Sequence, residues 1–368
     1  MKSESNRLRS ILHRSMRGGL PDRRDIRFLL SLTDGESLAM LFRAAREIRR
    51  RHFGFDVFLY GFIYFSTFCR NDCRFCNYRR SNTALKRYRK TLDEILESAQ
   101  RMEKSGVHLI DLTMGEWPDR NRPMDTDTPS LIDLARTIKA RSRLPVMVSP
   151  GVVSDDTLRG LAAAGIDWYA CYQETHNPRL FGQLRIGQDF AVRMQKKRMA
   201  RELGMRIEEG IMIGIGETRA DVSASIAAMR ALDADQIRVM TFVPQDNTPM
   251  AVSAATPSVR ESVVIAVLRL AMPDRLIPAS LDVGGLAGLA ERLNAGANVV
   301  TSLVVPGMGL AGVANQVLDI EQARRTPKAI RPVLDQCGLR VAEPGVYQDW
   351  VDRRRPRTAA NKISPSSR

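Results

Sequence analysis

Between about Asp56 and Thr326 the chain alternates short apolar runs with longer stretches in which apolar residues return every three or four positions. The apolar runs fall at Val57–Phe65, Val107–Met114, Pro145–Ser149, Asp167–Gln173, Arg206–Ile213, Gln236–Phe242, Leu276–Leu281 and Asn298–Val305. A helix pattern follows each of them, over 91–105, 129–141, 154–164, 187–203, 218–232, 256–272, 284–295 and 311–325. Start signals mark several: Thr91 precedes Leu92-Asp93-Glu94, Ser154 precedes Asp155-Asp156, and Pro257 opens another. Strands alternating with helices of this length predict a parallel sheet. Eight such units can close on themselves. The expected fold class is therefore α/β, a (β/α)8 TIM barrel over residues 56–336. Ahead of it, Leu38, Leu41, Phe42 and Ala45 share one helix face, and Arg49-Arg50-Arg51 stand at its end, where the helix dipole favours cations. Residues 1–55 read as a helical extension packed under or beside the barrel. Residues 337–368 read as a short cap and then a basic, Ser- and Pro-containing tail without order.

A chain of 368 residues with 44% hydrophobic content can fill one large barrel or two ordinary domains. No apolar run reaches membrane-spanning length, and the basic start MKSESNRLRSILHRSMRGG lacks the apolar core of a secretory signal. The cytoplasm is the expected compartment, and no membrane partner is expected. The net charge of +15 admits nucleic-acid binding. The basic residues are scattered over helix surfaces, however, with concentrations at Arg49-Arg50-Arg51, at Lys86-Arg87-Tyr88-Arg89-Lys90 and in the tail from Arg353. A solvated basic surface is the simpler reading, and docking of an acidic electron donor the second. A monomer is expected, with nucleic acid not among its partners.

Chemistry enters with Cys69, Cys73 and Cys76, a C-x3-C-x2-C run on the loop after the first strand. A zinc site needs a fourth Cys or His at the usual spacing. The histidines are His13, His52, His108 and His176, none of them in the loop. Five cysteines in a chain of this length do not make a disulfide framework. Cys171 and Cys337 stand far off and read as buried thiols. Three thiolates can bind three irons of a [4Fe–4S] cube, one short of a full ligand set, so that one iron keeps an open position.

The cysteine spacing, with the aromatic Phe75 just before the last thiol, resembles the cluster loop of the radical S-adenosylmethionine (SAM) enzymes. The resemblance implies that the methionine end of SAM chelates the open iron. It extends to Met114-Gly115-Glu116, which is similar to a Gly-Gly-Glu segment whose backbone receives the SAM amino group; Met114 replaces the first glycine. Alone, Gly115-Glu116 is only a turn. Glu174 ends the fourth strand and Arg193 lies on the next helix. A matching Glu–Arg arrangement in the biotin-synthase-like branch implies contacts to the SAM ribose, amino group or carboxylate; otherwise the two are a surface ion pair. Ser149 is a further candidate for the carboxylate. Gly210 to Glu217 resembles the adenine-contact motif GxIxGxxE, with Met212 in the Ile position and Gly214 letting backbone approach a flat ring. Phe75 and Tyr78 are candidates for the same contact, or for plain packing.

Strands two, six and seven also carry polar groups where a core should be apolar: Asp111, Arg238, and Ser280 with Asp282 two residues on. One reading is an internal Arg238–Asp282 ion pair. The other is an amino-acid pocket, with Arg238 and Ser280 on a carboxylate and Asp111 and Asp282 on ammonium groups. The segments IRVMTFVPQDNTPM, SLDVGGLAGLAERLNAGANVVTS and VPGMGLAGVAN resemble the methylornithine synthases of pyrrolysine biosynthesis. That resemblance implies an isomerase acting on L-lysine, with a [4Fe–4S] cluster and SAM as cofactors and a flavodoxin- or ferredoxin-type electron donor. The implied chemistry is hydrogen abstraction by a 5′-deoxyadenosyl radical, fragmentation of the Cα–Cβ bond, and recombination to (3R)-3-methyl-D-ornithine. Another biotin-synthase-like activity (sulfur insertion or cofactor maturation) and RNA modification are the alternatives.

Overall fold

The computed structural model describes residues 2–117, 130–312 and 317–354. In chain order the elements are α1 (Lys2–Met16), α2 (Arg23–Leu29), α3 (Gly35–Phe53), β1 (Asp56–Ser66), α4 (Leu92–Ser105), β2 (Leu109–Met114), α5 (Leu131–Arg141), β3 (Val146–Ser149), α6 (Asp155–Ala163), β4 (Trp168–Ala170), α7 (Pro178–Leu184), α8 (Phe190–Glu202), β5 (Arg206–Ile213), α9 (Arg219–Ala231), β6 (Gln236–Thr241), α10 (Ser258–Ala271), β7 (Pro278–Ser280), α11 (Leu289–Asn294), β8 (Val299–Leu303), α12 (Val317–Glu321), α13 (Pro327–Gln336), β9 (Arg340–Val341) and α14 (Pro344–Arg353). The expected strand–helix alternation is present from β1 onward. The helix expected over 311–325 is α12 within the described residues; of the unordered tail expected from Arg353, Arg353 itself ends α14, and residues from 355 on lie outside the described ones.

The strands pair in parallel in the order β6-β5-β4-β3-β2-β1-β8-β7. The ring closes between β6 and the approach to β7, where the Ile237 N–H donates to the Leu276 carbonyl at 2.9 Å and the Leu276 N–H to the Asp235 carbonyl at 3.2 Å. The sequence fixes the helix starts locally. Thr91 and Thr218 form capping boxes with Glu94 and Asp221, and Ser130, Ser154, Asn177 and Asp189 each accept from a first-turn amide. Strand β4 is short for a specific reason. Ala170 pairs with Glu208, yet the next bridge joins Glu174 to Ile211, so β4's continuation spends four steps where β5 spends three. One extra residue makes a bulge.

The floor of the barrel is sealed. Strand β9 adds to the start of β1, and α14 lies across the amino-terminal ends of the strands. Trp350 stacks on Trp168 at the start of β4, with ring centroids 6.1 Å apart and planes 8° from parallel. The Tyr347 hydroxyl meets that of Tyr60 at 2.8 Å. The Arg206 guanidinium, at the start of β5, donates to the Val351 carbonyl at 3.1 Å. The preceding helices sit beside the barrel: α3 packs on α10, and buried Arg49 donates to the Leu293 carbonyl at 2.7 Å and the Ala297 carbonyl at 3.2 Å.

Candidate active site

The loop after β1 and the carboxyl ends of β1 to β7 surround a cavity that opens to solvent, at the end where barrels of this kind gather their functional groups. Cys69, Cys73 and Cys76 all line it. Their loop is held from behind by a group read from sequence as surface charge. The Arg87 guanidinium binds the carbonyls of Tyr78 (2.9 Å), Arg79 (2.6 Å), Asn82 (3.3 Å) and Thr67. Its neighbours in the basic run are also engaged: Arg89 covers the rings of Phe68 and Trp117, and Lys90 meets Glu94 at 3.0 Å. That run is the scaffold of the cysteine loop rather than a free basic patch.

Donors approach the sulfurs. The Glu116 N–H lies 3.3 Å from the Cys69 Sγ, and the Gln188 amide nitrogen 3.0 Å from the Cys73 Sγ. Burial pushes the Cys69 thiol up from its ordinary range; burial, then the neighbouring thiols, does the same to Cys76. Gly115 fits here because only a hydrogen fits: a Cβ would stand 2.2 Å from the Phe68 carbonyl oxygen and 2.7 Å from the Cys69 Cβ. Among the described residues no three His, Cys, Asp or Glu side chains are placed to hold a single metal ion. The donor set suits a cluster, in which each thiol has its own iron, rather than a mononuclear site.

Two buried carboxylates face two buried arginines beside the loop. Glu116 accepts from Arg70 at 2.7 Å, from Arg193 at 3.3 Å and from the Val152 N–H at 2.9 Å. Glu174 accepts from Arg185 at 2.9 Å. Both arginines also donate to the Tyr172 carbonyl, at 3.1 Å from Arg185 and 2.9 Å from Arg193. Glu174 and Arg193 do share the cavity wall, but each takes a different partner from the one sequence suggested, and neither is at the surface. Burial pushes the Glu174 carboxyl up against the opposing pull of Arg185. Arg185 closes α7, a helix the sequence pattern does not announce, and Gln188 stands at the start of the helix expected over 187–203, where nothing local marks it as a thiol contact. Phe75 lines the cavity with the Arg185 guanidinium 5.3 Å from its ring centre, and Tyr78 lines it while donating to the Ala311 carbonyl. Gly214 is placed elsewhere: its N–H bonds the Glu217 carboxylate at 2.9 Å, and it is not among the lining residues.

Deeper in the barrel lies a second set of charges. Asp111 accepts from the Ser149 hydroxyl at 2.8 Å, and its other oxygen is buried without a hydrogen-bond partner. Burial, reinforced by the nearby Glu208 carboxylate, pushes the Asp111 carboxyl up to about 7. Arg238, 2% exposed, donates to Glu208 at 2.6 Å and to the Thr301 hydroxyl at 3.0 Å, leaving Nη2 without a partner. The expected alternative of an Arg238–Asp282 pair is not formed. Asp282 is held instead by Arg325 at 2.6 Å, Ser302 at 2.7 Å and Tyr64 at 3.1 Å. Ser280 stands behind it, receiving the Asp282 N–H at 3.2 Å and facing the Ser302 hydroxyl; it does not line the cavity. Asp111, Ser149, Arg238 and Asp282 do line it, as do the apolar walls Phe62, Met212, Met240 and Phe242.

With this geometry in hand, comparison with known proteins is specific. Residues 63–229 match the radical SAM superfamily. The chain is 41% identical over 328 residues to 3-methylornithine synthase of Methanosarcina barkeri, covering 88% of this chain and 91% of that one. It is 32% identical over 275 residues to the [FeFe] hydrogenase maturase subunit HydE of Thermotoga maritima, covering 74% and 77%. Its fold superposes on the crystal structure of methylornithine synthase (PylB) with a TM-score of 0.86 at 39% identity, over 92% of this chain and 99% of that one.

Proposed function

The chain belongs to the 3-methylornithine synthase family of the radical SAM superfamily, and on that premise we propose that it isomerises L-lysine to (3R)-3-methyl-D-ornithine, the first step of pyrrolysine biosynthesis. It is a radical SAM enzyme, whose cofactors are a [4Fe–4S] cluster and SAM. The observation that carries the substrate reading is the company the thiols keep. One cavity joins the three cysteines to a buried arginine and two buried or half-buried aspartates, a pattern complementary to a molecule with one carboxylate and two ammonium groups.

The residues present fit the cofactors. Cys69, Cys73 and Cys76 would hold the cluster, with Glu116 N–H and Gln188 donating to sulfur, contacts of the kind that tune a cluster's reduction potential. Glu116, Glu174, Arg185 and Arg193 ring the adjoining wall and would hold the charged end of SAM. When bound and reduced, this pair supplies the hydrogen-abstracting radical. The chain's own part is to bind, aim and exclude water. Arg238, whose buried Nη2 has no partner in the protein, would take a carboxylate, and Asp111, whose second buried oxygen has none, would take an ammonium group. Asp282, oriented by Tyr64, Ser302 and Arg325, faces the other amine. Holding both ends of the substrate keeps its two fragments together while the skeleton changes. The apolar walls keep water from the reacting carbon atoms.

The electron donor in this proposal is an acidic flavodoxin- or ferredoxin-type protein in the cytoplasm, and the enzyme works as a monomer. Among the described residues no helix is long and apolar enough to cross a membrane. The test is anaerobic incubation of reconstituted protein with SAM, a reductant and L-lysine. A new product of lysine's mass is expected. A preparation that cleaves SAM but leaves lysine unchanged would overturn the proposal.

A further inference from the structure

Behind the cavity wall, on the outer face of β5, lies an ion pair that the reaction does not use. Lys197 of α8 and Glu209 of β5 are both 0% exposed and are bonded to each other. Burying two charges is expensive, and an apolar pair of the same shape would serve packing at least as well. The second interactions of each group show what they are placed for. The other oxygen of Glu209 accepts the Gln173 N–H at 2.8 Å and the Gly210 N–H at 2.8 Å. Lys197 also donates to the Gln173 side chain at 2.9 Å. Gln173 is the residue in the β4 bulge just before Glu174, where regular pairing with β5 has lapsed and its amide has no carbonyl to meet. His176 approaches the same carboxylate, 3.7 Å away.

The bulge matters because of what it aims. Glu174 has φ of +66°, the left-handed region that a side chain seldom enters unless its surroundings hold it there. In that conformation its carboxylate meets Arg185, and the Tyr172 carbonyl two residues earlier meets both Arg185 and Arg193. Helix α8 serves both faces, since Arg193 and Lys197 are four residues apart on one side of it. Gly210 completes the arrangement by leaving room for the Tyr172 ring, which a Cβ would meet at 3.0 Å.

We propose that Glu209, anchored by Lys197, is a positioning residue for the cofactor: its carboxylate substitutes for the missing strand partner of the bulge and so fixes the aim of Glu174 and of the Tyr172 carbonyl. The role is that of an acceptor held in place, not of a charge acting at a distance. It rests on the assignment of this wall to SAM, and the test separates the two.

The measurement is the SAM dissociation constant of the reconstituted, anaerobic protein, alongside its melting temperature. The parent binding no SAM would remove the cofactor assignment itself. Two double variants then share the loss of both charges but differ in whether residue 209 can accept a hydrogen bond. Lys197→Met with Glu209→Gln keeps an oxygen for the Gln173 amide and should bind SAM within about threefold of the parent, since the bond geometry is retained. Lys197→Met with Glu209→Leu keeps only the volume and should bind at least about tenfold more weakly, with the Gln173 amide exchanging its hydrogen correspondingly faster. Equal SAM affinities in the two folded variants would overturn the proposal, as would a tenfold loss in the glutamine variant at parental melting temperature. Should the leucine variant fail to fold, Glu209→Asp replaces it. One methylene shorter, it keeps the charge opposite Lys197 but withdraws the acceptor from the bulge, and the same tenfold weakening is expected; parental affinity there would refute the role.

Discussion

Arg238 is expected to do two separable things, and a pair of substitutions pulls them apart. Arg238→Gln leaves the Glu208 carboxylate buried with no cation beside it. The two charges now stand 2.6 Å apart, with side chains 2% and 0% exposed. At an effective dielectric of about 20, unit charges at that separation attract by about 6 kcal/mol, most of it offset by the desolvation of both groups. Removing one partner forfeits the attraction and keeps the other's desolvation, which costs about 3–5 kcal/mol. The lost bond to Thr301 adds about 1 kcal/mol. Arg238→Gln should therefore lower stability in urea unfolding by about 5 kcal/mol. Glu208→Gln in the same chain removes the stranded charge and should restore about 2–3 kcal/mol of that. Lysine turnover should behave differently. It should be lost in the single variant and stay lost in the double one, because no stabilisation returns the guanidinium to the cavity wall. SAM binding should survive in both. If the double variant is no more stable than the single one, the pair is not what holds Arg238; if the double variant turns lysine over, Arg238 does not bind the substrate.

Three further expectations follow from particular contacts. Asp111, held up near 7 by burial and by Glu208, favours the folded state most when protonated; that contribution is complete below the ordinary 3.8 and is lost as pH rises toward 7. Asp111→Asn should accordingly gain stability relative to the parent across that window, while in the parent lysine affinity should fall about tenfold per pH unit below 7, as the carboxylate that meets the ammonium disappears; a flat affinity profile in the parent would remove Asp111 from the substrate site. Gly115→Ala drives a methyl into the Phe68 carbonyl and Cys69, so reconstituted iron per chain should drop well below that of the parent, and full iron content would show that the loop yields easily. Trp350→Ala unstacks Trp168 at the barrel floor and should cost about 3–5 kcal/mol in unfolding while SAM affinity is unchanged; a parallel loss of affinity would mean that floor and mouth are coupled.

The repeating unit was legible because apolar runs and helix starts are written locally, in residues such as Thr91, Ser154 and Thr218. The cysteine loop was legible for the same reason, since its ligands lie within eight residues. What was not legible depends on contacts across the chain. Arg185 and Glu174 are paired only because α7 folds back over the cysteine loop, and α7 has too few residues to announce itself by periodicity. Arg325 reaches Asp282 across 43 positions, which no local pattern encodes. Glu208 and Glu209 did carry a signal: two adjacent acids inside a strand must point to opposite faces, so one had to be buried in the barrel and the other behind it. Arg87 shows the opposite error, a charge counted as surface because it stood in a basic run although its work is to gather carbonyls.

Among the described residues, the sealed floor leaves the cavity to open at its upper end. Tyr60, Tyr347 and the stacked tryptophans close one end, and the cysteine loop stands at the other. A molecule seated against the thiols would therefore stand between solvent and the charges around Arg238. Traffic through such a room is a queue: the molecule that goes deepest goes in first and comes out last. Lysine would precede SAM on the way in, and methylornithine would wait behind it on the way out, trapped beside the cofactor until the doorway clears. A substrate that cannot be passed over or bypassed has the whole of that interval in which to finish rearranging, and a sealed barrel end is the simplest structure that enforces it.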